Sequence, residues 1–132
     1  MKTWILALLL CVFSFSVAAD PVITKHIYAT NSMNMEPVES LEVTSFQNER
    51  LYIFWYWDDI ESEVTYEVTG EIYDAMNKKV RSFKGVLYSI DSRDRTIYRY
   101  NFKPEKDFPG DWRIKLYLDG QLKFNKMIYV SE

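Results

Sequence analysis

The sequence predicts an all-β fold, an antiparallel sandwich of seven to eight strands, on three observations. After the first nineteen residues, hydrophobic side chains recur in short runs split by turn formers about every ten positions, the spacing of a sandwich or barrel. Val64–Thr69 and Trp112–Leu118 alternate at period two, with Val64, Tyr66 and Val68 on one face and Trp112, Ile114, Leu116 and Leu118 on another. Period two is the mark of a half-buried strand. Asp119-Gly120 then separates Trp112–Leu118 from a run carrying Leu122, Phe124, Ile128 and Val130. Asp-Gly suits a tight primed turn, in which both central residues take positive φ.

Strands are expected in order at Ile23–Ala29, Val38–Phe46, Leu51–Trp57, Val64–Asp74, Val80–Ile90, Thr96–Phe102, Trp112–Leu118 and Leu122–Val130. Turns fall at Asn77-Lys78-Lys79, at Asp91-Ser92-Arg93-Asp94 and across Pro104–Gly110. No window holds an apolar stripe at helical period, so two antiparallel sheets must bury each other's apolar faces.

Residues 1–19 read as a cleavable secretory signal peptide. Lys2 supplies the positive charge, Trp4–Phe13 the apolar core, and Val17 and Ala19 the small residues before a cut at Asp20. A membrane anchor would need about 20 predominantly apolar residues, and a lipoprotein cysteine at Cys11 would need a small residue where Leu10 stands. Removing 19 of 132 residues leaves 113, enough for one core, so residues 20–132 are expected to form a single β-sandwich domain. That domain has no cysteine, although an exported compartment would permit disulfides. The sequence also has no Asn-x-Ser/Thr acceptor. Together these point to a bacterial protein, periplasmic or secreted. The 15 Lys and Arg left after the cut face 19 Asp and Glu with no basic block, which excludes a nucleic-acid partner.

Two patches resemble small immunoglobulin-like domains of uncharacterised bacterial envelope proteins. They are Glu36-Pro37-Val38 leading to Leu51-Tyr52-Ile53-Phe54, and Pro109-Gly110-Asp111-Trp112-Arg113-Ile114 closing with Leu118-Asp119-Gly120. In such domains a Pro-Gly-x-Trp run enters a late strand and an Asp-Gly turn leaves it. The resemblance implies an immunoglobulin-like sandwich and no particular activity. The cysteine pair of antibody-type domains is absent.

Leu51–Trp57 is apolar on both faces, Leu51, Ile53, Trp55 and Trp57 on one and Tyr52, Phe54 and Tyr56 on the other. One face can serve the core; the other must be covered by a loop such as Pro104–Pro109, by the N-terminal segment, or by a ligand. Rings with polar tips suit glycan stacking or protein anchoring. Tyr98, Tyr100 and Phe102 form a second aromatic row, either a core face or a continuation of that platform. The candidate binding residues are therefore Tyr52, Trp55, Tyr56, Trp57, Tyr98 and Tyr100.

Asp58–Glu63 holds four carboxylates in six positions but lacks the glycine of a calcium loop, and reads as a solvated acidic turn. His26, the sole histidine, has no nucleophile or second histidine marked beside it and reads as a strand surface residue. No catalytic residue, metal or cofactor is expected. The function expected is an exported, non-enzymatic binding or accessory module engaging an envelope protein or glycan through an aromatic sheet face. The alternatives are a structural or assembly protein pairing through an exposed edge at Val22–Tyr28, as a homodimer or with an extended peptide, and a small carboxylate-dependent hydrolase.

Overall fold

The computed structural model describes residues 20–132, so the signal-peptide reading lies outside the described residues. Nine strands follow in order: β1 Val22–Met33, β2 Glu36–Leu41, β3 Thr44–Ser45, β4 Arg50–Asp58, β5 Tyr66–Tyr73, β6 Lys79–Leu87, β7 Asp94–Asn101, β8 Gly110–Leu118 and β9 Gln121–Ser131. A single 3-10 turn, Phe46–Asn48, joins β3 to β4. They pack as two sheets, a four-stranded one of order β2-β1-β4-β7 and a five-stranded one of order β3-β9-β8-β5-β6. Every pairing is antiparallel except β3 with β9, which is parallel.

The run expected as one strand, Val38–Phe46, divides between the two sheets: Glu36–Leu41 pairs with β1, and Thr44–Ser45 crosses to pair with the end of β9. One strand more than expected results. The final hairpin forms as expected, with Leu118 opposite Gln121 and φ of 46° and 82° at Asp119 and Gly120. Asp119 also ties this turn to β5, its Oδ1 accepting from Glu67 N and its own N donating to Glu67 O, each at 2.8 Å.

The core is dominated by rings. At one end Phe46, Tyr100, Phe102 and Trp112 meet edge-on or tilted with centroids 5.3–6.3 Å apart. Toward the other, Trp55 packs on Phe83 and Phe124. Such pairs add about 0.5–1.5 kcal/mol each beyond the area they bury. Phe83 reaches inward because its partner across β5 is Gly70: a Cβ there would lie 2.0 Å from the Phe83 ring. The freed ring stacks on Tyr98 at 3.9 Å and closes the gap between the two sheets.

Two buried aspartates organise the loops at one end. Asp74 accepts from the backbone of Met76, Lys78 and Phe108. Asp107 accepts from Lys103 N and from the Tyr100 hydroxyl, both at 2.8 Å. Burial, and then Asp107, push the Tyr100 hydroxyl well above its ordinary pKa.

Candidate binding surface

The two aromatic rows are neighbours in one sheet, but the platform they form faces inward. Leu51 pairs with Tyr100 and Ile53 with Tyr98 across β4 and β7, while Trp55, Trp57 and Tyr100 are 0%, 1% and 3% exposed. Trp55, Trp57 and Tyr100 therefore cannot stack on a ligand, which corrects that part of the expectation. They are core because period two puts them on the face where the second sheet packs. Tyr98 is half-buried on the same face, its ring on Phe83 and its hydroxyl accepting from Arg81 Nε at 2.8 Å.

Tyr52, Phe54 and Tyr56 occupy the outer face of the four-stranded sheet, with Ala29, Ile27 and Lys25 beside them on β1 and Arg99, Ile97 and Arg95 on β7. Ala29 and Phe54 are nonetheless fully buried. The cover comes from the β1–β2 hairpin. Asn34 and Met35, at φ of 51° and 61°, turn β1 back on itself, and Arg95 Nη1 donates to Met35 O at 2.6 Å and to Glu36 Oε1 at 2.5 Å. Since β2 and β7 are opposite edges of this sheet, and strands lie about 4.8 Å apart, that contact requires the hairpin to arch over the face. The N-terminal segment thus supplies the roof, and Pro104–Pro109 caps the end of the sandwich instead.

Of the three β4 rings on this face, Phe54 is covered and Tyr52 and Tyr56 keep part of their surface. Tyr56 lies between two cations, with Lys25 Nζ 5.4 Å and Arg95 Cζ 5.7 Å from its ring centroid. Partial burial, then Glu36, raise its pKa against the opposing pull of Arg95. It lines an open depression of about 560 Å³ with Asp58, Arg93 and Asp94. Lys25 and Arg95 occupy the ring faces that a sugar would need.

The outer face of the five-stranded sheet differs. Strand register places Tyr73, Arg113 and Met127 in one row, Glu71, Lys115 and Asn125 in the next, and Thr69, Tyr117 and Leu122 in a third. Tyr73, Tyr117, Arg113 and Lys115 are half-buried, whereas Leu122, Met127 and Tyr129 are 48%, 51% and 51% exposed. Glu71 holds this surface together. Its carboxylate accepts from the Tyr117 hydroxyl at 3.0 Å and pairs with Lys79 at 3.4 Å. Against a loss of hydration that raises its pKa, hydrogen bonds from Tyr117, Tyr73 and Lys79 bring it below the ordinary value. Lys115 Nζ sits 5.3 Å from the Tyr73 centroid. The expectation passed over Tyr73, Tyr117 and Tyr129 because each falls at the outward position of a strand whose inward set, Ile72, Leu116, Leu118, Ile128 and Val130, already accounts for the core; the signal was their shared parity on adjacent strands.

The acidic turn Asp58–Glu63 is held to the facing loop, Ile60 N donating to Ser92 O and Glu63 N to Ser89 O. Among the described residues no group of three or more His, Cys, Asp or Glu converges to hold a metal ion. His26 is an exposed strand residue whose ring nevertheless packs edge-on against Phe124 and Tyr28, at 4.9 and 5.4 Å. Burial and then Lys126 lower its pKa. Among the described residues no helix is long and apolar enough to cross a membrane.

No protein-family model matches the chain, and no curated protein matches it. Solved structures do. The chain is similar to an immunoglobulin-like protein from Pseudomonas aeruginosa, 12% identical with a TM-score of 0.52 over 87% of this chain and 99% of that one. It is also similar to part of the alkylpurine DNA glycosylase AlkC of Pseudomonas fluorescens, bound to DNA containing an abasic site analog, at 11% identity and a TM-score of 0.57. That match covers 92% of this chain and 33% of that one. A β-glucosidase from Listeria innocua in complex with isofagomine matches at 10% identity and a TM-score of 0.50, over 70% of this chain and 15% of that one. At such identities the likeness is one of fold. The two packed sheets and the near-complete overlay on the first of these structures make this chain's fold an immunoglobulin-like β-sandwich.

Proposed function

We propose that the protein is an exported, non-enzymatic binding or accessory module that engages an envelope protein or glycan through the outer face of its five-stranded sheet. The observation that carries this reading is the surface built around Glu71, where Tyr117 and Lys79 are tied to one carboxylate and Tyr73 lies beneath Lys115. Rings held in place by their own hydroxyls lose little freedom on binding, and exposed Tyr129, Met127 and Leu122 supply apolar area beside them. The leader at residues 1–19 supports a periplasmic or extracellular location.

The test is retention of the protein on a glycan array and on immobilised envelope proteins, with Tyr73→Ala/Tyr117→Ala compared against the parent. Loss of retention with unchanged far-ultraviolet circular dichroism is the expected result. Equal retention by the double variant removes this face from the function.

A further inference from the structure

The five-stranded sheet ends on a long strand that is almost uncovered. β9 has 11 residues, yet β3 pairs with only Val130 and Ser131. Over Gln121–Met127 the backbone groups turned away from β8 receive no hydrogen bond from another element among the described residues. An edge of this kind presents a row of free N–H and C=O groups and is a template for another strand. The edge expected from sequence is different. β1 pairs with β4 along Val22–Ala29 and with β2 from Tyr28 onward, so only its first half has an open side.

Charge selects what could pair with β9. The strand contains Lys123 and Lys126 and no Asp or Glu, and neither lysine has a carboxylate partner among the described residues. Across β5, β6, β8 and β9 there are seven Lys or Arg and three Asp or Glu, although the whole chain carries a net charge of −3. A second copy adding through its own β9 would set two lysine-bearing strands side by side, where like charges repel. Lysines at a sheet edge act against self-association in this way. A strand carrying carboxylates meets the opposite situation, and Leu122, Met127 and Tyr129 give its apolar side chains a flank to rest on.

We propose that the free edge of β9, Gln121–Met127, accepts an extended acidic segment of a partner protein as a sixth strand of this sheet. Main-chain bonds supply the affinity, and Lys123 and Lys126 select the partner. This interaction uses the main chain of the edge and its two lysines; it borders the face around Glu71, sharing exposed Leu122, Met127 and Tyr129 with it but not Tyr73, Tyr117 or Glu71.

The probe is a synthetic eight-residue peptide of alternating Glu and Val, titrated into isotopically labelled protein and followed by amide shifts and calorimetry. Shifts centred on Lys123–Met127 are expected. Affinity should fall at least tenfold when alternate peptide nitrogens are methylated, and severalfold on raising salt from low to physiological strength, as exposed charges are screened. Lys123→Glu/Lys126→Glu should abolish binding of this peptide and confer binding of the Lys-Val counterpart, while Tyr73→Ala/Tyr117→Ala leaves both unchanged. Absence of binding, equal binding of the methylated peptide, shifts confined to the Glu71 face, or dimerisation of the protein through β9 without peptide would each overturn the proposal.

Discussion

Trp55 stands where the residue scale matters most. It is fully buried with its ring against Phe83 and Phe124, and its indole N–H has no partner among the described residues. Truncation leaves a cavity as well as lost transfer energy, so Trp55→Ala should cost about 3–5 kcal/mol in urea unfolding. Trp55→Phe removes an unsatisfied donor and keeps a ring, and should cost much less. Tyr28 is a second buried residue with an unpartnered hydroxyl, and burial pushes its pKa up to about 12. His26 gives the fold a pH dependence. Its pKa is lowered from 6.5 by burial and then by Lys126, so below that value the unfolded chain binds the proton more readily than the folded one. Its contribution to stability is therefore complete above about pH 6.5 and is lost as pH falls through the lowered folded value. Urea midpoints measured between pH 7.5 and 5.5 should decline for the parent and decline less for His26→Gln.

At the scale of elements, the β1–β2 hairpin is the device that distinguishes the two outer faces. It arches across the four-stranded sheet and is clasped at its tip by Arg95. The ion pair with Glu36 is partly exposed, 31% for the Arg95 side chain and 59% for that of Glu36, and a pair of this kind contributes about 0–1 kcal/mol. Its consequence is local. Arg95→Ala should leave global stability almost unchanged while hydrogen exchange accelerates across Thr30–Leu41, because the hairpin then rests on side-chain packing alone. Uniform protection in the variant would show that Phe54 and its neighbours hold the hairpin without the clasp. β3 is the opposite case, two residues whose pairing with β9 moves the chain from one sheet to the other.

For the whole molecule, cohesion comes from packed rings and sheet hydrogen bonds. Cys11 is the only cysteine in the chain, so no disulfide can form within it, and the urea midpoint should be the same with and without a thiol reductant. The aromatic content that suggested a binding platform is also what an unstapled domain of this size needs for its core, and the structure assigns most of it to that purpose. Strand positions other than the divided run Val38–Phe46, the Asp119-Gly120 hairpin and the inward set Trp112, Ile114, Leu116 and Leu118 were legible in the sequence, because alternation and turn chemistry are local properties of a few adjacent residues. The sandwich class follows from them. The choice between the two apolar faces of Leu51–Trp57 was not legible, since both satisfy period two equally well. It was decided by which face met the second sheet, and by a hairpin of residues 30–41 that arches back over the other. The surface around Glu71 and the open edge of β9 likewise exist only once distant strands lie side by side: sequence by itself determines what each strand can bury, and tertiary structure decides what remains uncovered.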